Sequence, residues 1–225
     1  MKDFDCVSFD IDQTLIDFDT MLKAALQEAS NWLFEHTSQR VSIEEFQYQR
    51  DVLAKTYTGK AVNMLAIRHA SFCQILAANG LSKDMTDPLL EVFKAVRFGQ
   101  TKFMPGALEM LENLPSGLKV AALTNGNSDP NKLGFGQYFD VTVLAENYPF
   151  EKPDPRTFEI LMEKLELVAP KRCIHIGDSL DNDVKGANQS GLISVWYNAE
   201  AKIAPASLKP EFEIAKLSEL LTILK

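Results

Sequence analysis

Phe4-Asp5-Cys6-Val7-Ser8-Phe9-Asp10-Ile11-Asp12-Gln13-Thr14-Leu15 is the stretch on which the reading of this chain turns. Residues 4–10 read as a buried strand, and Asp10 and Asp12 fall two residues apart just where it ends. A carboxylate at the C-terminal end of a strand faces the crevice in which open α/β sheets bind ligands. Two acids so close repel one another unless a cation or a shared proton intervenes. The pair therefore points first to a metal.

Downstream of this strand the apolar period changes from two to 3.6. Leu22, Ala25, Leu26, Ala29, Trp32 and Leu33 recur at i, i+3, i+4 spacing from about Asp19 onward, which places them on one helical face. Ser42 and Glu45 fit a capping box for a second helix carrying Phe46, Leu53 and Ala54. A third helix runs through Val62, Leu65, Phe72, Ile75 and Leu76, with Gly80 placed to end it. Asp87-Pro88 supplies an N-cap and a first-turn proline for a fourth. Trp32, Phe34 and Phe46 read as core of this bundle.

After Pro105-Gly106 short apolar strands alternate with helices. Strands are predicted at 118–123, 141–144, 173–176, 192–196 and 212–215, and helices near 106–113, 155–166, 183–190 and 218–224. Alternating β and α units imply a parallel sheet covered by helices on both faces. The first strand needs that sheet for partners, so the bundle is an insertion. The expected division is an α/β core of residues 1–16 plus 98–225 and a helical cap of residues 17–97.

Composition narrows the function. The chain has 225 residues, 46% of them hydrophobic and 24% charged, which suits a soluble globular protein. A net charge of −8 argues against nucleic-acid polymers, which need a basic face. No apolar run reaches the length of about 18 residues that a membrane span needs, and Met1 to Asp5 lacks the apolar core of a secretory leader. Cys6, Cys73 and Cys173 form no C-x-x-C pair, so reduced thiols in a cytoplasmic protein are expected.

Three further strand ends carry polar residues. Thr124-Asn125-Gly126-Asn127 offers a hydroxyl and backbone N–H groups. Glu151-Lys152-Pro153-Asp154-Pro155 holds one lysine between prolines, and Gly177-Asp178-Ser179-Leu180-Asp181-Asn182-Asp183 follows the strand at 173–176. Phosphoryl transfer has a use for each type. A carboxylate attacks phosphorus, a second acid protonates the leaving oxygen, and a hydroxyl, amides and a lysine hold the phosphoryl oxygens. Asp10, Asp12, Asp178 and Asp183 sum to −4 when ionised, against +1 from Lys152. A phosphate dianion needs roughly two more positive charges there, which one Mg²⁺ supplies.

Asp10-x-Asp12-x-Thr14, Thr124, Lys152 before a proline, and Gly177-Asp178 with Asp183, in that order, resemble the four motifs of the haloacid dehalogenase-like (HAD) hydrolases. The helical insert resembles that superfamily's four-helix cap. The resemblance implies a doubly wound, Rossmann-like parallel sheet with an inserted cap, and a Mg²⁺-dependent phosphatase acting on a small phosphorylated metabolite. It implies Asp10 as nucleophile and Asp12 as general acid/base. Asp10, the Asp12 backbone carbonyl and Asp178 would bind Mg²⁺, with Asp183 and Thr14 in support. Thr124, Asn125 and Lys152 would hold phosphate. Phe18 and Asp19, which open the insert, are candidates for substrate specificity.

Alternatives are testable by chemistry. An EF-hand loop starting at Asp10 would place Leu15 and Met21 where glycine and glutamate belong, so that reading fails. The dehalogenase branch of the resembling family lacks an acid at the Asp12 position. A phospho-acceptor receiver module would lack both the insert and the second acid. Within the phosphatases, Thr124-Asn125-Gly126-Asn127 with Gly134-x-Gly136-x-Tyr138-Phe139 is similar to a branch acting on flavin mononucleotide and a ribityl-aminouracil phosphate. The Thr-Asn-Gly part is shared with 5′-nucleotidases. Asp10→Asn is expected to abolish phosphate release from an aryl phosphate while leaving the fold intact; an unchanged rate rejects Asp10 as nucleophile.

Overall fold

The computed structural model describes residues 4–57, 63–167 and 169–225, so Val62 of the third helical pattern lies outside the described residues. Two compact units emerge, one of Met1–Asp17, Lys102–Ala145 and Phe150–Lys225, the other of Phe18–Thr101 and Glu146–Pro149.

The first unit is built on a parallel sheet of β1 (Cys6–Phe9), β2 (Lys119–Thr124), β3 (Val141–Leu144), β4 (Cys173–Gly177), β5 (Ile193–Tyr197) and β6 (Phe212–Ile214), in spatial order β3-β2-β1-β4-β5-β6. Every residue of β1 is buried, and its one polar residue, Ser8, is hydrogen-bonded inside the sheet. The chain winds outward from β1 through β2 to β3, then returns to the other side of β1 for β4. The switch point thus falls between β1 and β4, and their C-terminal ends lead into Asp10 and Asp178.

The sequence signals also set the helix ends of this unit. In α6 (Pro155–Lys164) Asp154 caps the helix by accepting the Arg156 N–H, and Pro155 takes the first position. The helix expected near 183–190 begins earlier, as a π-helical turn over Leu180–Val184 that runs into α7 (Lys185–Gln189). Asp183 therefore lies inside the turn instead of opening the helix. Short helices α5 (Ala107–Glu112) and α8 (Leu220–Ile223) complete the unit.

The second unit contains α1 (Phe18–Thr37), α2 (Ile43–Ala54), α3 (Met64–Ala78) and α4 (Thr86–Arg97). Phe72 lies at its centre, edge-on to Phe46 at 5.1 Å and to Phe93 at 5.8 Å, within a cluster that includes Leu26, Leu33 and Leu89. Ser42 caps α2 through the Glu45 N–H. Gly80, at φ 69°, ends α3; its N–H bonds Ala77 and that of Leu81 bonds Leu76, a Schellman pairing. Glu146 accepts the Met64 N–H at the start of α3, where a helix end favours negative charge.

Two expectations for this unit change. Asp87 lies within the first turn of α4 and pairs with His69 at 2.9 Å; the N-cap position is Met85, which makes no side-chain cap. The serine at 82 instead caps the short turn ahead of α4 through the Asp84 N–H. Phe34 is 40% exposed under the Arg40 guanidinium, whereas Phe46 is fully buried and Trp32 packs at the cluster's edge. The aromatic spacing placed Phe34 on the wrong side of α1. None of the described helices is long and apolar enough to cross a membrane.

Phe72→Ala is expected to destabilise this unit by about 3–5 kcal/mol, because the site is closed by aromatic neighbours that cannot collapse. Denaturant unfolding measures it, and a loss below about 1 kcal/mol contradicts the packing described.

Candidate active site

Asp10 follows β1 directly, and its backbone N–H bonds the Ile176 carbonyl, so the ladder with β4 extends to the first acid. The chain then turns tightly: Ile11 O accepts the Leu15 and Ile16 N–H groups, with Gln13 at φ 62°. That left-handed backbone is costly for a glutamine and brings Thr14 back under Asp10. Thr14 Oγ1 donates to Asp10 Oδ2 at 3.1 Å and accepts the Asp178 N–H at 3.1 Å. One buried hydroxyl thus ties the two acid-bearing loops together.

Lys152 is the cation among them. Its ammonium donates to Asp10 Oδ1 at 2.6 Å, Asp183 Oδ1 at 2.6 Å and Leu123 O at 2.8 Å, so each of its three donors has an acceptor. Asn125 holds the lysine's backbone, accepting its N–H at 2.8 Å and donating to its carbonyl at 2.9 Å. The Asn125 amide group thus locates Lys152 while the residue also lines the cleft above the acids. Thr124 Oγ1 accepts the Gly126 N–H, which closes the turn after β2.

Asp183 is fixed from every side. Its Oδ1 also meets His175 Nε2 at 3.1 Å, and its Oδ2 accepts the Ser179 N–H at 3.1 Å. A Cβ on Gly177 would lie 2.1 Å from the Asp183 carboxyl carbon, so only glycine fits there. His175 Nδ1 is 2.8 Å from Ser8 Oγ. With anionic Asp183 on one side, Nε2 carries the proton and Nδ1 accepts the serine hydroxyl. Burial lowers the His175 pKa, which keeps the ring neutral near pH 7.

The Asp12 carboxylate takes a different direction. Its Oδ1 accepts a short hydrogen bond from Ser128, and its Oδ2 sits where a Cβ on Gly126 would come within 2.8 Å. Asp10, Asp178 and Asp183 instead bring carboxylate oxygens within 4.8 Å of one another. A cleft of about 240 Å³ opens over these groups, lined by Asp10, Asp12, Thr124, Asn125, Lys152 and Asp178 among others. Phe18 and Asp19 lie in the first turn of α1 in the other unit, with Arg97 4.5 Å over the Phe18 ring. Ser128 and the Leu123 carbonyl join the arrangement without any spacing signal; Ser128 is a lone serine two residues after Gly126, whereas His175, in the strand that leads to Asp178, is the packed, hydrogen-bonded side chain its position in the sequence suggests.

The charges are unevenly borne. Burial pushes Asp10 well above the usual carboxylate range, with Asp183 and Asp12 adding to it and Lys152 opposing. Burial and the Asp183 charge raise Asp178 to about 6. Burial also works against Asp183, but Lys152 and the His175 hydrogen bond outweigh it and hold this acid at about 2. Three acids share one lysine, the donor set and charge deficit that suit a hard divalent cation bound by oxygen.

A family model for haloacid dehalogenase-like hydrolases matches residues 4–191. Pyrimidine 5′-nucleotidase YjjG of Escherichia coli (strain K12) is 26% identical over 96% of each chain. The 5-amino-6-(5-phospho-D-ribitylamino)uracil phosphatase YigB of the same organism is 31% identical over 52% of this chain and 50% of its own. Among solved structures, a 2-haloacid dehalogenase from Pseudomonas syringae pv. Tomato DC3000 matches with a TM-score of 0.85 and 29% identity over 98% of each chain. The HAD-hydrolase YfnB of Bacillus subtilis, solved bound to magnesium, gives 0.72 and 25% over 99% of each.

These shifts bear on the pH dependence of stability without added metal; Asp10 and Asp178 act in one direction, and the lowered His175 opposes them as pH falls below about 6.5. Asp178, raised to about 6, binds its proton more tightly folded than unfolded, so its contribution falls as pH rises from about 4 through 6. Asp183, lowered to about 2, contributes fully above about 4 and loses this as pH falls toward 2. In chelator the melting temperature should be higher at pH 5 than at pH 7.5, and it should fall again near pH 2.5. Asp178→Asn should shrink the difference between pH 5 and 7.5, and an unchanged difference contradicts the buried acid cluster.

Proposed function

The chain belongs to the haloacid dehalogenase-like hydrolases, and from that premise we propose that it hydrolyses a small phosphomonoester through an aspartyl-phosphate. The observation that carries this reading is the unequal treatment of the two aspartates. Asp10 is tied to Lys152 and Thr14 inside the acid cluster, while Asp12 is held apart by Ser128.

An oxygen of Asp10 attacks phosphorus, and the ester oxygen leaves with a proton from Asp12. Asp12, now a carboxylate, takes a proton from water, whose oxygen attacks phosphorus and releases Asp10. Lys152 and Thr14 hold Asp10 in line throughout, and the Thr124 hydroxyl with the amides of its turn receives phosphoryl oxygens. Asp10, Asp178 and the Asp12 backbone carbonyl would hold Mg²⁺, with Asp183 supporting them; when bound, this ion neutralises charge on the phosphoryl group and the acids.

Asp12 also separates this reading from dehalogenation, the activity for which the Pseudomonas syringae structure is named. A halide departs as a weak base and needs no proton, so such chemistry leaves the Asp12 carboxyl without a task. For the substrate we favour a heterocycle carrying a phosphorylated ribityl chain, flavin mononucleotide or ribityl-aminouracil phosphate, supported by the resemblance to YigB. The full-length similarity to YjjG supports a second reading, pyrimidine nucleoside 5′-monophosphates. Free thiols at Cys6, Cys73 and Cys173 support a cytoplasmic setting.

Mg²⁺ at about a hundred times its dissociation constant should stabilise the protein at pH 7.5 by about 2.7 kcal/mol, read as a thermal shift that Asp178→Asn removes. A phosphate-release panel of flavin mononucleotide, ribityl-aminouracil phosphate, nucleoside monophosphates and sugar phosphates should show turnover with the first two groups of heterocyclic esters. Halide release from a 2-haloacid with no phosphate release from any ester overturns the proposal.

A further inference from the structure

Ser128 is fully buried, although it lies in a loop, and its hydroxyl reaches 116 residues back along the chain to Asp12 Oδ1. A carboxyl group turns freely about its last bond, because a terminal sp³–sp² torsion has broad, shallow wells. A group that must deliver a proton to one oxygen and later take one from a water needs that freedom removed. The loop after β2 removes it. Thr124 Oγ1 fixes the Gly126 N–H, Gly126 leaves space beside Asp12 Oδ2 that any larger residue would fill, and Ser128 engages Oδ1.

We propose that Ser128 is a positioning residue for the acid/base Asp12, its O–H holding Oδ1 so that Oδ2 is the atom that gives and retakes the proton. This inference rests on the phosphatase reading above. In the first half-reaction the bond from Asp10 to phosphorus forms, the bond from phosphorus to the ester oxygen breaks, and the Oδ2 proton passes to that oxygen. In the second, Oδ2 takes a proton from water, the water oxygen bonds phosphorus, and the bond to Asp10 breaks. Ser128 neither gains nor loses a proton in either step. Its contribution is greatest where the departing oxygen is a strong base, because that step depends most on a well-placed proton.

The test compares phenyl phosphate with p-nitrophenyl phosphate, esters of similar shape whose leaving groups differ in basicity, in single turnovers with Mg²⁺ for the release step and in the steady state for KM. Ser128→Ala should slow phenol release by about tenfold to a hundredfold, slow p-nitrophenol release by no more than about threefold, and leave KM for both within about twofold. Ser128→Cys keeps the volume with a weaker donor and should show the same pattern, which covers the case of a poorly folding alanine variant. Ser128→Thr restores the hydroxyl and should recover the phenyl ester rate, while Asp12→Asn should show the largest difference between esters. Equal losses on both esters, no loss on phenyl phosphate, or failure of threonine to rescue overturns the proposal. Release from neither ester by the unaltered protein defeats the phosphatase reading itself, and this inference falls with it.

Discussion

The Lys152 ammonium sits between Asp10 and Asp183, 2.6 Å from an oxygen of each, with all three side chains buried. Burial disfavours each charge alone, but Lys152 and Asp183 hold one another ionised: the two acids push the lysine's pKa above its ordinary value, and the lysine pulls Asp183 down to about 2, while burial wins at Asp10. Removing one partner from such a buried pair costs about 3–5 kcal/mol, because the remaining charge keeps its desolvation cost. The rest of the site is arranged around this constraint. Asn125 fixes the lysine's backbone, His175 and Ser179 hold Asp183, and Gly177 leaves room for its carboxyl.

One lysine does not balance three clustered acids, and the imbalance falls on Asp10 and Asp178, both raised above the ordinary carboxylate range. Such an imbalance suits a cation, whose charge would in turn favour an anionic substrate. Asp12 points its carboxylate elsewhere, toward Ser128. Two aspartates of identical chemistry, two residues apart, are thereby given different environments, and acid and nucleophile roles are divided by such environments.

The fold was legible because its signals are local. Apolar runs ending in polar residues marked the strands of the sheet, and Gly80, Ser42 and Asp154-Pro155 marked helix ends by backbone chemistry that needs only neighbouring residues. The acids were visible as strand-end residues, and the switch point between β1 and β4 is where their carboxylates meet. What escaped was long-range. Ser8 meets His175 only through the register of β1 against β4, Ser128 meets Asp12 across 116 residues, and the Leu123 carbonyl has no side chain to read. Asp87 misled because a good capping residue sits two positions too late, and Phe34 because helical spacing alone does not say which edge of a stripe is covered.

The proposed reaction requires that Asp10, held in line by Lys152 and Thr14, becomes covalently phosphorylated during turnover. Acid quenching of a single turnover, followed by mass mapping of the proteolysed chain, tests this directly. A phosphoryl group on the peptide containing Asp10, carried on that residue and accumulating further when Asp12 is replaced by asparagine, is the predicted result. Turnover with no covalent phosphoryl species, or with the phosphoryl group on any other residue, contradicts it.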